Sequence, residues 1–429
     1  MSEAEVPEKW TGARGAACPL GWVAVVLAAA FLLRVGAGFA ALSGMRGAPP
    51  ETWWLGGYSA YGDMAVSLAK GQGLGPSEVV APRPPLYPLL LAAIYRVGGA
   101  SSSLPVLVQA AIGTGTVALA YLIGRATMAP AAGLVAAAMT AVYPYYVGHD
   151  TALQETSLFT FLVAASVHAL LLARRSQGLA RHALAGLIAG LALLCRESLL
   201  LYVSVTTLWL ARPLPGRGWR RSSALAMLFA VSVVLVVAPW LARNLYKYGA
   251  PVFASRPGYR IWVGHNEATL SRYPWESIDR STSEAFARMT AVDRAALERL
   301  TWFERDRWFL HQATAFAIAD PVRLTRYAAV KLFAAFGPLK SPLDPNWVAN
   351  ALYSVSWVTV CALATFGLCT GAPRDLVAVV GLLLLAFLAL VLATHGHTSH
   401  RSHLDVYLLV LGAGPVARTW QCHGARASE

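Results

Sequence analysis

Ala224-Leu-Ala-Met-Leu-Phe-Ala-Val-Ser-Val-Val-Leu-Val-Val-Ala-Pro-Trp-Leu241 carries no charge, and it lies between Arg220-Arg221 and Arg243. Its length approaches the roughly 20 apolar residues that take a helix across a bilayer. Similar windows recur on both sides: Trp22 to Leu42, Leu104 to Gly124, Met128 to Tyr146, Leu153 to Ala173, Trp347 to Cys369 and Leu376 to Leu392, with Leu404 to Val416 a shorter candidate. The pattern predicts an all-α, polytopic integral membrane protein. Composition agrees, since the 429 residues are 56% hydrophobic and 13% charged, whereas soluble domains carry about 25% charged residues.

The net charge of +13 does not point to nucleic acid. Its arginines gather in short loops between apolar windows, at Arg174, Arg175 and Arg181 and again at Arg212, Arg217, Arg220 and Arg221. That is the positive-inside signature. The expected partner is therefore the lipid bilayer, with no nucleic acid. Placing both basic loops in the cytoplasm makes Ala183 to Ala211 a hairpin with Arg196 and Glu197 at its tip. Each arm has about a dozen residues, or about 18 Å of helix, less than the core of about 30 Å. The tip is then expected to face a wet cavity.

The same bookkeeping puts three segments outside: Ser43 to Tyr87, Gly148 to Ala152, and Asn244 to about Trp347. About ten crossings result, counting the hairpin. The first span follows Met1 to Pro19 without a small-residue cleavage site and reads as an uncleaved anchor. Three parts are expected: residues 1–242 as an N-terminal transmembrane module that includes the outer loop 43–87, residues 243–346 as an extracytoplasmic helical segment, and residues 347–429 as C-terminal spans with a short tail. Within the middle part, Thr290 with Asp293 predicts a helix cap and Asp320-Pro321 predicts a helix start. Leu324 to Phe336, with Arg326 and Lys331, reads as interfacial, and Leu86 to Val97 is too short to span. Internal repeats of the kind found in transporters are not evident. The five cysteines are scattered with no paired spacing and read as small core residues.

Charges at membrane depth are costly and usually paired or functional. Arg34 interrupts the first span. Asp150 and Glu155 stand at the outer start of the window from Leu153, Arg196 at the hairpin tip, Arg243 at the outer end of the quoted span, and Arg83 in Arg-Pro-Pro-Leu-Tyr-Pro88. The outer loop adds Glu51 and Asp63 among aromatic residues. Arginines beside carboxylates at one surface suit a lipid-linked phosphate, whose oxygens accept bidentate guanidinium bonds. A carboxylate there has a role as general base. His395, His397, His400 and His403, with Arg401, form a polar run that reads as a solvated loop more than a metal site. No cofactor is certain, no metal ligand is assigned, and a divalent metal stays open.

Several stretches, in order, resemble a bacterial GT-C glycosyltransferase of the family-39 type, related to protein O-mannosyltransferases and lipid A aminoarabinose transferases. They are Met64-Ala-Val-Ser-Leu-Ala-Lys-Gly-Gln-Gly-Leu74, Arg83-Pro-Pro-Leu-Tyr-Pro-Leu-Leu-Leu-Ala92, Leu153-Gln-Glu-Thr-Ser-Leu-Phe159, and Ala185-Gly-Leu-Ile-Ala-Gly-Leu-Ala-Leu-Leu-Cys-Arg196. Ala238-Pro-Trp-Leu-Ala-Arg-Asn244 is the most specific, followed by Gly258-Tyr-Arg-Ile-Trp-Val-Gly-His-Asn266 and, more loosely, His400-Arg-Ser-His-Leu-Asp-Val406. The resemblance covers Trp22 to about Gly412.

It implies a GT-C fold in a bacterial plasma membrane, and inverting transfer of a sugar from a polyprenyl-phosphate donor to an extracytoplasmic lipid, glycan or protein acceptor. It also implies a first-loop Asp as base, and arginines (Arg83, Arg196, Arg243, Arg401 and Arg34) on the donor phosphate or lipid. Substrate contacts are expected from Tyr61, Tyr87, Trp240, Asn244, His265 and Asn266. In relatives that Asp precedes the loop Tyr by four residues. Counted from Tyr61, the position is Gly57. The base is therefore left among Asp63, Glu51, Glu155 and Asp150, or the member is catalytically altered. Two rival readings use the same residues: a transporter or flippase for an anionic lipid or sugar, and a non-catalytic relative that binds a polyprenyl lipid.

Overall fold

A computed structural model describes residues 20–44, 59–75, 83–100, 103–176, 178–213, 216, 218–253 and 257–426. Glu51, Gly57 and the loop tryptophans Trp53 and Trp54 lie outside the described residues. Among those described there is no strand. The helices are α1 (Leu20–Ser43), α2 (Ser59–Ala69), α3 (Leu86–Gly98), α4 (Leu104–Thr127), α5 (Pro130–Val142), α6 (Pro144–Thr151), α7 (Thr156–Ser176), α8 (Leu179–Cys195) and α9 (Leu200–Ala211). After them come α10 (Trp219–Tyr248), α11 (Pro257–Val263), α12 (Ile278–Arg288), α13 (Ala291–Arg299), α14 (Trp302–Ala319), α15 (Pro321–Phe336), α16 (Trp347–Cys369), α17 (Arg374–Ala393) and α18 (Ser402–Arg426). The protein is an all-α, multi-pass membrane protein.

Among the described residues, six helices are long and apolar enough to cross a bilayer: α1, α4, Thr156–Arg174 of α7, α10, α16 and α17. The pair α5 and α6, bent by 55° at their junction, makes a seventh if taken as one span. A count of about ten needs α8, α9 and α18 as further crossings, and none of these three meets that standard. The hairpin arms are unequal: α8 has 17 residues and α9 has 12, so only the second arm has the length expected from the sequence.

Two compact units divide the chain, Met1–Phe253 with Thr359–Leu383 and Ser402–Glu429, and Ala254–Val358 with Leu384–Arg401. In the first unit α1 packs on α4, α5 and α6, α8 lies between α7 and α10, and α18 rests on α4, α5 and α7. Val23 and Ala30 of α1 close over Val117 and Tyr121 of α4 and Leu134, Ala137 and Ala141 of α5. Helices in lipid approach most closely where small residues face each other. Gly186 and Gly190, one turn apart on α8, supply that face against α10. A Cβ on Gly190 would stand 2.7 Å from the Val236 Cβ, and one on Gly186 would run into the Phe229 carbonyl. Gly190→Leu is expected to overpack this seam and cost about 1–3 kcal/mol, readable as a lowered unfolding midpoint in detergent.

In the second unit Tyr259 and Trp262 of α11 meet Phe309 of α14 at ring distances of 5.1 and 4.8 Å. Asp306 accepts from the backbone N–H groups of Gly258 and Tyr259 at 3.1 and 2.9 Å, so it satisfies donors that the first turn of α11 leaves open. Thr290 caps α13 by accepting from the Asp293 N–H at 3.0 Å, and Asp320 caps α15 by accepting from the Arg323 N–H at 2.9 Å. Both starts were legible in the sequence. A full capping box stands at the head of α14, formed by Thr301 with Glu304.

Candidate functional site

Glu155 and Arg196 both sit where a helix stops. Glu155 occupies the gap between α6 and α7. Arg196 is extended (φ −152°) between Cys195 and a short 3-10 turn, Glu197–Leu199. The breaks bring side chains 41 residues apart into contact: Nη2 and Nε of Arg196 both donate to Glu155 Oε1, at 2.6 and 3.2 Å. Nη2 also donates to Thr156 Oγ1 at 3.3 Å, and the guanidinium lies 5.0 Å from the Phe159 ring centre. Nη1 of Arg196 is buried and meets no acceptor among the described residues, so within them the guanidinium keeps one hydrogen-bonding edge unused.

Tyr61 of α2 and Tyr87 of α3 pack edge to face at 5.3 Å, and Arg83 caps the Tyr61 ring at 5.0 Å. Both tyrosines are buried, at 3% and 0% exposure. Tyr61 also lies against Glu155. Burial alone would raise the Glu155 pKa, but the Arg196 charge and its hydrogen bonds, with help from the Tyr61 hydroxyl, bring it below the ordinary carboxylate range. The pair's contribution to stability is thus fully present above that ordinary range and is lost as pH falls through the lowered value.

The spacing of Tyr61, Met64 and Ala65 gives α2 one buried face. Asp63 stands off that face and is exposed. Met64 joins Leu74 and Trp240 in a buried cluster, with Leu194 of α8 and Phe253 packed against it. That cluster ties α2 to the end of α8, one residue short of Cys195-Arg196, and to the end of α10. There Trp240 Nε1 donates to the Phe253 carbonyl, Asn244 donates to the carbonyls of Val252 and Phe253 at 2.6 and 3.2 Å, and Arg243 donates to Asn244 Oδ1 at 3.0 Å while lying over Trp240. Trp240 and Asn244 therefore hold the chain's turn after α10, and Arg243 is the group of the three left half-buried.

Arg34 and Asp150 form a separate pair. Proline at 144 has no N–H for the Thr140 carbonyl, and the bend beside it leaves the Ala141 carbonyl unmet as well. Arg34 fills this gap. It donates to the carbonyls of Ala141 at 3.0 Å and Thr140 at 3.5 Å, and its Nε reaches Asp150 Oδ2 at 2.6 Å. Ser157 donates to the other Asp150 oxygen at 2.5 Å. A Cβ on Gly113 would stand 2.7 Å from Arg34 Nε and would strike Asp150, so the pair needs glycine there. With 0% and 6% of their side chains exposed, the two residues form a buried structural clamp.

The remaining expected residues belong to the second unit. Asn266 closes its own turn, donating to the Trp262 carbonyl at 2.8 Å and accepting from the Ala268 N–H at 2.9 Å. His265 bonds Lys331 at 3.0 Å. Arg401 is fully buried, 3.3 Å above the Trp357 ring, and donates to the Ala335 carbonyl at 2.6 Å and the Tyr353 hydroxyl at 3.1 Å. Among the described residues there is no group of three or more His, Cys, Asp and Glu side chains placed to hold a metal ion.

Residues 82–242, which include Arg83, Tyr87, Glu155 and Arg196, match the model of the dolichyl-phosphate-mannose-protein mannosyltransferase family. Among solved structures, the oligosaccharyltransferase of Archaeoglobus fulgidus in its apo form has a TM-score of 0.58 at 14% identity, over 95% of this chain and 52% of that one. The same organism's AglB oligosaccharyltransferase in complex with an inhibitory peptide and a dolichol-phosphate gives 0.54 at 15% identity, over 95% and 51%. ArnT from Cupriavidus metallidurans bound to undecaprenyl phosphate gives 0.41 at 15%, over 94% and 79%. The chain spans about half the length of the oligosaccharyltransferases it matches. No curated protein sequence matches it. The chain is a polytopic helical protein that shares its fold with these oligosaccharyltransferases. The match to the mannosyltransferase family runs through its first unit.

Proposed function

We propose that the protein is an inverting glycosyltransferase of the bacterial plasma membrane that moves a sugar from a polyprenyl-phosphate donor to an acceptor on the extracytoplasmic side. The observation that carries this reading is the buried contact of Glu155 with Arg196, ringed by Tyr61, Tyr87 and Arg83, within or against the segment matched by the mannosyltransferase family. The dolichol-phosphate bound to a protein of the same fold supports the class of donor.

In this reading the donor phosphate takes Arg196, through the Nη1 edge that has no acceptor among the described residues, and Arg83. Phosphate oxygens then compete with Glu155 for the guanidinium, and the carboxylate released from it becomes a stronger base. Glu155 removes the proton from the acceptor's nucleophile. The acceptor atom attacks the anomeric carbon from the side opposite the phosphate, and the bond from anomeric carbon to phosphate oxygen breaks with its electron pair. The arginines hold the resulting polyprenyl phosphate. Among the three candidate carboxylates that are described, Glu155 is favoured because Asp150 is committed to Arg34 and Asp63 is exposed off the buried face of α2. In the same reading residues 1–242 are the transmembrane module, 243–346 the extracytoplasmic helical segment and 347–429 the C-terminal spans with a short tail.

The test is made in cells. Deleting the gene is expected to remove one sugar from a surface glycan, lipid or glycoprotein read by mass spectrometry, with restoration by the wild-type chain and none by Glu155→Gln. An unchanged glycan profile, together with accumulation of an unflipped lipid or solute, would favour transport instead.

A further inference from the structure

Glu155 ends a stretch that belongs to no helix, residues 152–155 between α6 and α7, so its placement depends on what holds that stretch. The far end is held at the Glu155 carbonyl, which accepts from the Phe159 N–H at 2.8 Å and from Cys195 Sγ at 3.7 Å. The near end is held at Ala152. Its N–H donates to the His149 carbonyl at 3.2 Å, and its carbonyl accepts from the Gln154 N–H at 2.8 Å. One side chain from another helix reaches the same carbonyl: Nε2 of Gln109, on α4, donates to it at 2.6 Å.

Gln109 is 2% exposed and lies in an apolar run, Leu104-Pro-Val-Leu-Val before it and Ala110-Ala-Ile after it. A carbonyl only accepts, so the nitrogen of the amide is the end that faces Ala152. Oε1 is also buried and meets no donor among the described residues. Half of the amide's bonding is therefore unmet, a cost that a methionine of similar length would avoid. Packing gives no reason for an amide here, whereas the bond to Ala152 does. One turn further along the same face of α4 is Gly113, where a Cβ would strike Asp150. This face of α4 thus follows α6 and its continuation, with Gly113 at Asp150 and Gln109 at Ala152.

We propose that Gln109 is a positioning residue for sugar transfer: by holding the Ala152 carbonyl it sets where Glu155 stands against Arg196. The inference rests on the reading of Glu155 as the base. Gln109 itself touches no reacting atom, and its effect runs through the three residues that follow Ala152. A reacting group misplaced by about 1 Å costs about 100-fold in rate, so a small relaxation of this stretch is enough to be read in turnover.

The test uses the full chain in proteoliposomes with a polyprenyl-phosphate sugar as donor and a crude acceptor fraction, in the wild type, Gln109→Met and Glu155→Gln. Gln109→Met is expected to lower kcat by about 10- to 100-fold with the KM for the donor changed less than about twofold, and to leave the unfolding midpoint level or raised, since the unmet Oε1 is gone. The acid limb of kcat/KM reports the base in the free enzyme. Arg196 holds Glu155 below the ordinary carboxylate range, and a carboxylate displaced from it loses that support, so the limb should move to higher pH in Gln109→Met. Gln109→Asn, one methylene short of the Ala152 carbonyl, should show the same changes to a smaller degree, and it keeps the test open should the methionine variant fail to fold. Wild-type kcat and acid limb in both Gln109 variants overturn the proposal and leave the role of Glu155 standing. So does a loss carried by the donor KM with the limb unmoved, which is the mark of a merely structural residue. Full transfer by Glu155→Gln, or none by the wild type, overturns the reading of the base and this proposal with it.

Discussion

Glu155→Gln is expected to lower sugar transfer by about 10²- to 10⁴-fold, the usual contribution of a positioned general base, while donor binding persists. The amide keeps an oxygen that can accept from Arg196, so the guanidinium is not left without a partner in a site where 14% of its side chain is exposed. What the amide cannot do is take a proton. Charge argues the same way for binding: without the carboxylate, Arg196 has one competitor fewer for a phosphate, and donor affinity should hold or rise. Asp63→Asn is the matched control, because its side chain is exposed on the other side of α2 from Tyr61. Turnover and donor binding measured separately in proteoliposomes distinguish these effects. Comparable losses in both variants would point to the first loop as the source of the base.

Arg34→Leu is expected to have the largest effect on stability. It removes one member of an ion pair whose side chains are 0% and 6% exposed, and it also strips the Thr140 and Ala141 carbonyls of their donors. Breaking a buried pair from one side costs about 3–5 kcal/mol, because the surviving charge stays desolvated. Changing Asp150 to Leu as well should recover part of the loss, since no charge is then stranded, but not all of it, since the carbonyls beside Pro144 remain unmet. Unfolding midpoints in detergent for the two single variants and the double variant would read this coupling. Additive losses would mean that the two residues act independently.

The apolar windows were legible because hydrophobic length is a local property, and so were the caps at Thr290 and Asp320, where donor and acceptor are three residues apart. The charges at membrane depth were visible as well. Their partners were not. A sequence reading pairs Arg196 with its neighbour Glu197, whereas the break after Cys195 swings the side chain to Glu155. It pairs nothing with Arg34, which meets Asp150 across 116 residues because Pro144 opens the end of α5. Lys331 reads as an interfacial charge when only the pattern of α15 is considered. It shares a buried helical face with Tyr327 and Ala334, and that spacing was the available signal. Within the outer loop, Asp63 drew attention as the nearest acid to Tyr61, yet the helix turns it outward while Tyr61, Met64 and Ala65 face in.

The most direct test of glycosyl transfer is to reconstitute the purified chain with a polyprenyl-phosphate sugar of defined anomeric configuration and a crude acceptor fraction, and to follow both products. The account predicts release of free polyprenyl phosphate matched by sugar on the acceptor in the opposite anomeric configuration, with both lost in Glu155→Gln. Translocation of the intact lipid-linked sugar without cleavage, or transfer that retains the configuration, would contradict it.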